Sequence, residues 1–115
     1  MSAASGGVVV NGRYSAQMPT FLVTEHRDGP AWNPALPLRE QSGFAEHAAF
    51  MDALVAQGVV ALGGPLADEH RVVLVVNAES EQAVRQRLQH DPWMGSHLSI
   101  GGIDRWTILL DAHRP

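Results

Sequence analysis

SGFAEHAAFMDALVAQGVVALGGPL, residues 42–66, reads as a helix, a stop and a strand, and the rest of the chain is organised around it. At about 100° per residue, Phe44, His47, Met51, Leu54, Val55 and Gly58 fall on one side of the helix, while Glu46, Ala53 and Gln57 fall on the other. Gly58 suits the left-handed position just past a helix end, and residues 59–62 resume as an apolar strand. Gly63, Gly64 and Pro65 follow. Glycine at such a point marks either a bulge or the close approach of a ligand to backbone. The awkward member of the stripe is His47. A buried polar group left unpaired costs roughly 1–3 kcal/mol, so this ring needs either a buried partner or an opening onto a pocket.

Outward from this unit the pattern repeats. Residues 20–26, TFLVTEH, have the β-branched and aromatic content of a first strand. Residues 27–41, RDGPAWNPALPLREQ, carry three of the seven prolines and read as a loop, because each proline lacks a ladder donor and pushes its predecessor out of helix. A loop of that length in a small domain is often a lid or binding segment. Trp32 could close a pocket there and Arg39 could hold an anion; the plainer alternative is that Trp32 caps the core and Arg39 is solvated. Residues 67–70 make a turn, and RVVLVVN, residues 71–77, is an almost continuously apolar strand paired with the one before it. Ser80 caps a short second helix with Ala83, Val84, Arg87 and Leu88, stopped by Asp91-Pro92. A last strand is expected within residues 98–110, most clearly at RWTILL, residues 105–110.

The order strand, helix, strand, strand, helix, strand predicts an α+β domain of ferredoxin-like βαββαβ plan: a four-stranded antiparallel sheet with both helices on one face. Two short helices cover only one face, yet VVLVV and WTILL are apolar on both alternating sets of positions. A homodimer joined through the open sheet face would bury the other set. Residues 1–17 are read as a flexible N-terminal extension and 18–115 as the domain.

Composition excludes several classes. The 115 residues hold 8 Lys+Arg against 12 Asp+Glu, a formal net charge of -4, and the basic residues form no run or stripe, so a nucleic-acid partner is disfavoured. There is no cysteine, which removes thiolate catalysis and thiolate metal sites. Six histidines, at 26, 47, 70, 90, 97 and 113, show neither HxH nor HExxH spacing, so no metal site is expected. No glycine-rich phosphate loop runs into a helix, and no cofactor is expected. No apolar run approaches the ~20 residues of a membrane span, and a cytoplasmic protein without a membrane partner is expected.

For the partner of His47, Glu46 and Asp52 lie on its own helix and point to the solvent side. Asp91, past the end of the second helix, is the better candidate, since the two helices of this plan run side by side. A carboxylate on one imidazole nitrogen fixes the tautomer and makes the ring a competent base or acid near neutrality. Spacing alone leaves the bland alternative open, a core histidine satisfied by backbone and an Asp-Pro that is only a turn.

EHAAFMDALVAQGVVALGGPL, LVVNAES, HDPW and IDRWTILL together resemble the YCII-related family of dimeric ferredoxin-like α/β barrel proteins, over about residues 18–110. That resemblance implies a dimeric α/β barrel and a His-Asp pair in a pocket beside the sheet, carried here by His47 and Asp91. Trp32, Arg39, Gly64, Pro65 and Trp93 would line the space for a small-molecule ligand. The resemblance further implies cofactor-independent proton transfer, either elimination such as dehydrochlorination of chlorinated hydroxyquinols, or isomerisation of a small cyclic or aromatic-derived substrate. The alternative from another class is a non-catalytic ligand-binding or regulatory dimer using the same pocket.

Overall fold

The computed structural model describes residues 18–112. Residues 1–17, with the expected extension, and 113–115, with His113, lie outside the described residues. The elements are β1 (Thr20–His26), a 3-10 turn (Leu38–Glu40), α1 (Phe44–Ala56), β2 (Val60–Pro65), β3 (Arg71–Asn77), α2 (Glu81–Leu88) and β4 (Ser99–Arg105). The strands form one sheet in the order β2-β3-β1-β4, every neighbouring pair antiparallel. This α+β arrangement is compatible with the ferredoxin-like plan.

Alternation along the strands sets the two faces. Phe21 and Val23 on β1 and Leu74 and Val76 on β3 are buried against Leu54 of α1 and Val84 and Leu88 of α2, so both helices cover the same face. Leu22, Thr24, His26, Val73 and Val75 occupy the opposite face and are half-buried. On edge strand β2, Leu62 is 67 % exposed. No helix among the described residues is long and apolar enough to cross a membrane.

α1 ends as its sequence dictates. Gly58 has φ 76, and the amides of Gly58 and Val59 close back onto the carbonyls of Val55 and Leu54 at 3.0 and 2.9 Å, the paired bonds of a helix that terminates at a left-handed glycine. The apolar stripe is narrower than its spacing suggests: Leu54 is buried, whereas Val55 is 54 % exposed. In α2 the Ser80 hydroxyl accepts from the Ala83 amide at 3.0 Å, capping the helix as expected. The turn between β2 and β3 is held by Asp68, whose carboxylate accepts from the amides of His70 and Arg71 and from the Arg71 side chain. Those bonds hold the Asp68 carboxyl well below the usual carboxylate range. Glu69 in that turn adopts φ 62.

Two strands differ from expectation. β2 does not stop at residue 62 but continues through Gly63 and Gly64 to Pro65, after a register shift between Val60 and Leu62. A proline is tolerated because this is an edge strand. The last strand is SIGGIDR, residues 99–105, and not RWTILL. Its partner β1 begins at Thr20, whose carbonyl receives the Trp106 amide at 2.8 Å. Beyond that bond β1 offers no further residues to pair with, and residues 107–110 lie outside any strand, Leu109 and Leu110 being 85 % and 93 % exposed. Within β4 the register shifts opposite Thr24 and Glu25. That bulge brings both Ile100 and Ile103 against the core, three residues apart where plain alternation would separate them.

Candidate functional site

The loop of residues 27–41 is ordered by one side chain. Gln41, buried, donates to the carbonyls of Asn33 and Leu36 at 2.7 and 2.9 Å and accepts from the Asn33 amide at 2.9 Å. The loop also docks on the segment before β4, where the amides of Gly29 and Ala31 bond the carbonyls of His97 and Ser96. A Cβ on Gly29 would stand 2.3 Å from the Ser96 oxygen, so only glycine permits this approach. The docked loop delivers Trp32 edge-on to Trp93, centroids 5.8 Å apart.

Around Trp93 the two halves of the fold meet. The indole is 2 % exposed and has an imidazole on each side, His47 at 4.1 Å and His97 at 4.5 Å between ring centroids, stacked at 6° and 15°. Its Nε1 donates to the Ser42 carbonyl at 2.9 Å, fastening the connection after α2 to the start of α1. Asp91 completes the arrangement. Its carboxylate lies 2.8 and 3.0 Å from His47 Nδ1 through Oδ1 and Oδ2, and Oδ1 also accepts from the Trp93 amide at 2.9 Å. The Asp91 side chain is 0 % exposed and that of His47 is 15 % exposed.

This geometry assigns the proton on His47. A carboxylate only accepts, so Nδ1 carries a hydrogen, and in the neutral ring Nε2 carries the lone pair. Nε2 makes no hydrogen bond among the described residues, and it is not one of the buried atoms left without a partner. His97 is arranged differently. Ser96 Oγ donates to the Pro92 carbonyl at 3.4 Å and so accepts from His97 Nδ1 at 2.9 Å, leaving Nε2 to accept from Ser42 Oγ at 3.0 Å. Burial first, and the neighbouring His47 second, hold His97 below the usual imidazole range.

The remaining expected site residues are placed as follows. Arg39 sits in the 3-10 turn, exposed, its guanidinium 5.7 Å over the Phe44 ring. Gly64 and Pro65 lie on edge strand β2, opposite Val73 and Val72, and take no part in the hydrogen bonds and ring stacking of His47 and Asp91. Gly64 shares a sheet row with Val73 on the face away from the helices, and a Cβ there would meet nothing within 4 Å. A cleft of about 630 Å³ opens between the proline loop and the β2–β3 turn. Trp32 belongs both to its wall and to the aromatic cluster; His47 and Asp91 do not line it. His90 is exposed and His97 is buried. Among the described residues no group of three or more His, Asp and Glu is placed to hold a metal ion.

One residue escaped the sequence reading. Glu25 on β1 is 2 % exposed, and its Oε2 is buried without a hydrogen-bond partner. Burial first, and the charge of Asp91 second, push its carboxyl up to about 7. The signal was present in TFLVTEH, because Phe21, Val23 and Glu25 alternate onto one face.

No family model matches the chain, and no match was found among the curated proteins or the solved structures.

Proposed function

We propose that the protein is a cofactor-independent enzyme in which His47, oriented by Asp91, moves a proton on a small cyclic or aromatic-derived substrate. The observation that carries this proposal is the grip of a fully buried carboxylate on Nδ1 of a partly exposed His47, which leaves Nε2 of the neutral ring with a lone pair and no hydrogen bond among the described residues. An imidazole so held takes a proton at Nε2, and the imidazolium that forms is stabilised by the carboxylate behind it. Proton removal beside a carbonyl or phenol would then give loss of chloride, or return of the proton at a second carbon. Trp93 has both faces occupied, so its part is to hold the two imidazoles parallel; Trp32, half-buried and edge-on to Trp93, is the aromatic surface left for a substrate ring. The resemblance to YCII-related proteins favours the same chemistry.

The proposal includes a homodimer through the open sheet face. Leu22, Val73 and Val75 are half-buried there in a single chain and Leu62 is exposed, and burying such a row is worth roughly 25 cal/mol per Å². Sedimentation at micromolar concentration should give twice the chain mass. A monomer would refute this part.

Chlorinated hydroxyquinols and small unsaturated lactones are the substrates to test, by chloride release and by proton NMR. His47→Asn and Asp91→Asn should each abolish turnover while leaving the circular dichroism spectrum unchanged. Turnover undiminished in both variants would exclude the pair as the proton-transfer group, and ligand binding without turnover in the native chain would favour the regulatory alternative.

A further inference from the structure

The cleft of about 630 Å³ between the proline loop and the β2–β3 turn has no task in the proton-transfer mechanism. Its volume is that of a small-molecule site. Trp32, Pro34, Leu36, Pro37 and Leu38 give it an apolar lining, and Leu36 and Leu38 are each 37 % exposed. The loop that carries them is fixed in advance, since Gln41 holds the carbonyls of Asn33 and Leu36. The polar feature of the lining is Arg27, whose side chain is 6 % exposed. Its amide bonds the His70 carbonyl at 2.9 Å, and its guanidinium lies 4.8 Å over the Trp32 ring. Of the guanidinium nitrogens only Nη1 is engaged, by the Glu69 carbonyl at 2.8 Å and the Glu69 carboxylate at 3.4 Å. Nε and Nη2 make no hydrogen bond among the described residues. Neither is sealed from solvent, because Glu25 Oε2 is the one partnerless side-chain atom so buried among the described residues. These two nitrogens form the edge of the guanidinium that matches both oxygens of a carboxylate.

We propose that this cleft is a second binding site, for a small monocarboxylate with an aromatic or apolar body. The carboxylate takes the free Nε and Nη2 donors of Arg27, and the body packs on Trp32 and the loop leucines. The site does not include His47 or Asp91, and the inference does not rest on their chemistry. Three acids that also line the cleft set the charge of the ligand. Asp28 Oδ1 accepts from Ser99 Oγ at 2.8 Å, Asp68 is held by the amides of the turn and by Arg71, and Glu69, 76 % exposed, faces Nη1. Among them a single guanidinium compensates one negative charge, and a second charge on the ligand would meet like charges. Phosphate esters and dicarboxylates are therefore disfavoured.

The test is an NMR titration of the full chain with phenylacetate, and it needs no turnover. Binding should saturate in the millimolar range, with shift changes at the Arg27 Nε–H and the Trp32 indole N–H. Phenethyl alcohol, the same body without the charge, should bind about tenfold more weakly, because it leaves the paired donors unmatched. Phenylmalonate, with a second charge, should also bind about tenfold more weakly. Arg27→Lys keeps the cation but loses the fork of donors, and should weaken phenylacetate by about tenfold. His47→Asn should leave that affinity within about twofold. Absence of saturation, alcohol or dicarboxylate binding as tight as phenylacetate, or binding lost in His47→Asn would each overturn the proposal. Should Arg27→Lys fail to fold, the native chain decides alone: phenylacetate shifts that spare Arg27 and Trp32 overturn it, and shifts centred on them sustain it.

Discussion

Replacing Glu25 by glutamine should make the protein more stable at pH 8 while changing little at pH 4. In the unfolded chain this carboxyl ionises near its ordinary value of 4.5, whereas in the folded chain burial and the charge of Asp91 hold the proton up to about 7. Below 4.5 both states carry the proton and there is no penalty. As the pH rises from 4.5, the unfolded state releases its proton while the folded state keeps it, so stability falls until about 7 and is level above. Each pH unit crossed costs about 1.4 kcal/mol, which makes the full penalty about 3 kcal/mol. Glutamine has the same shape and no charge, so the variant escapes the penalty. Urea unfolding of both proteins from pH 4 to pH 8.5 isolates it, since titrating groups that do not interact with Glu25 cancel in the difference. The variant should gain steadily on the native chain across the window, by about 3 kcal/mol in all. A stability difference that stays constant from pH 4.5 to 7 would mean that the folded state ionises Glu25 as easily as the unfolded chain does, and the account of its burial would be wrong.

Asp91→Leu strands two buried donors, the Trp93 amide and His47 Nδ1, at about 1–3 kcal/mol each; Asp91→Asn keeps an oxygen for the amide and should cost visibly less by denaturant unfolding. Gly29→Ala puts a methyl 2.3 Å from the Ser96 carbonyl oxygen, so the proline loop must lift, at about 2–3 kcal/mol. Loss of the near-ultraviolet dichroism of the Trp32–Trp93 pair would report it, and an unchanged spectrum and melting temperature would refute that close approach. Glu69→Asn relieves a glutamate held at φ 62 and should add about 0.5–1 kcal/mol, visible as a melting temperature a few degrees higher.

How far the sequence could be read depended on whether a signal was local. The order of elements, the stop at Gly58 and the cap at Ser80 are local, and the structure has them where periodicity and capping chemistry place them. The meeting of His47 with Asp91 was legible too, because the helix order puts the end of α2 beside the start of α1. Where a partner decided the outcome, local pattern misled. RWTILL has every mark of a strand, but β1 starts at Thr20 and leaves residues 107–110 no strand to pair with among the described residues. Val55 matched the helical stripe yet faces solvent. The bulge in β4 depends on pairing with Thr24 and Glu25, which no window of SIGGIDR contains. Glu25 escaped for another reason: alternation with Phe21 and Val23 sets it on the inner face, but a carboxylate is so rarely buried unpaired that nothing in TFLVTEH singles it out.

The fastening of Ser42 by Trp93 bears on the order in which the molecule folds. α1 is preceded by Gly43, which offers no side-chain cap, so little in the local chain selects its first turn. What holds that turn is the indole of a residue 51 positions away, whereas the other end of the helix is closed by its own glycine. Bringing such distant residues together costs loop entropy that must be met before the contact forms. α1 should therefore grow from its C-terminal end, with Ala53→Gly slowing folding and Ala45→Gly mainly speeding unfolding. His47 lies in the half of the helix that waits, and it reaches Asp91 only once the segment after α2 has come back to the start of α1.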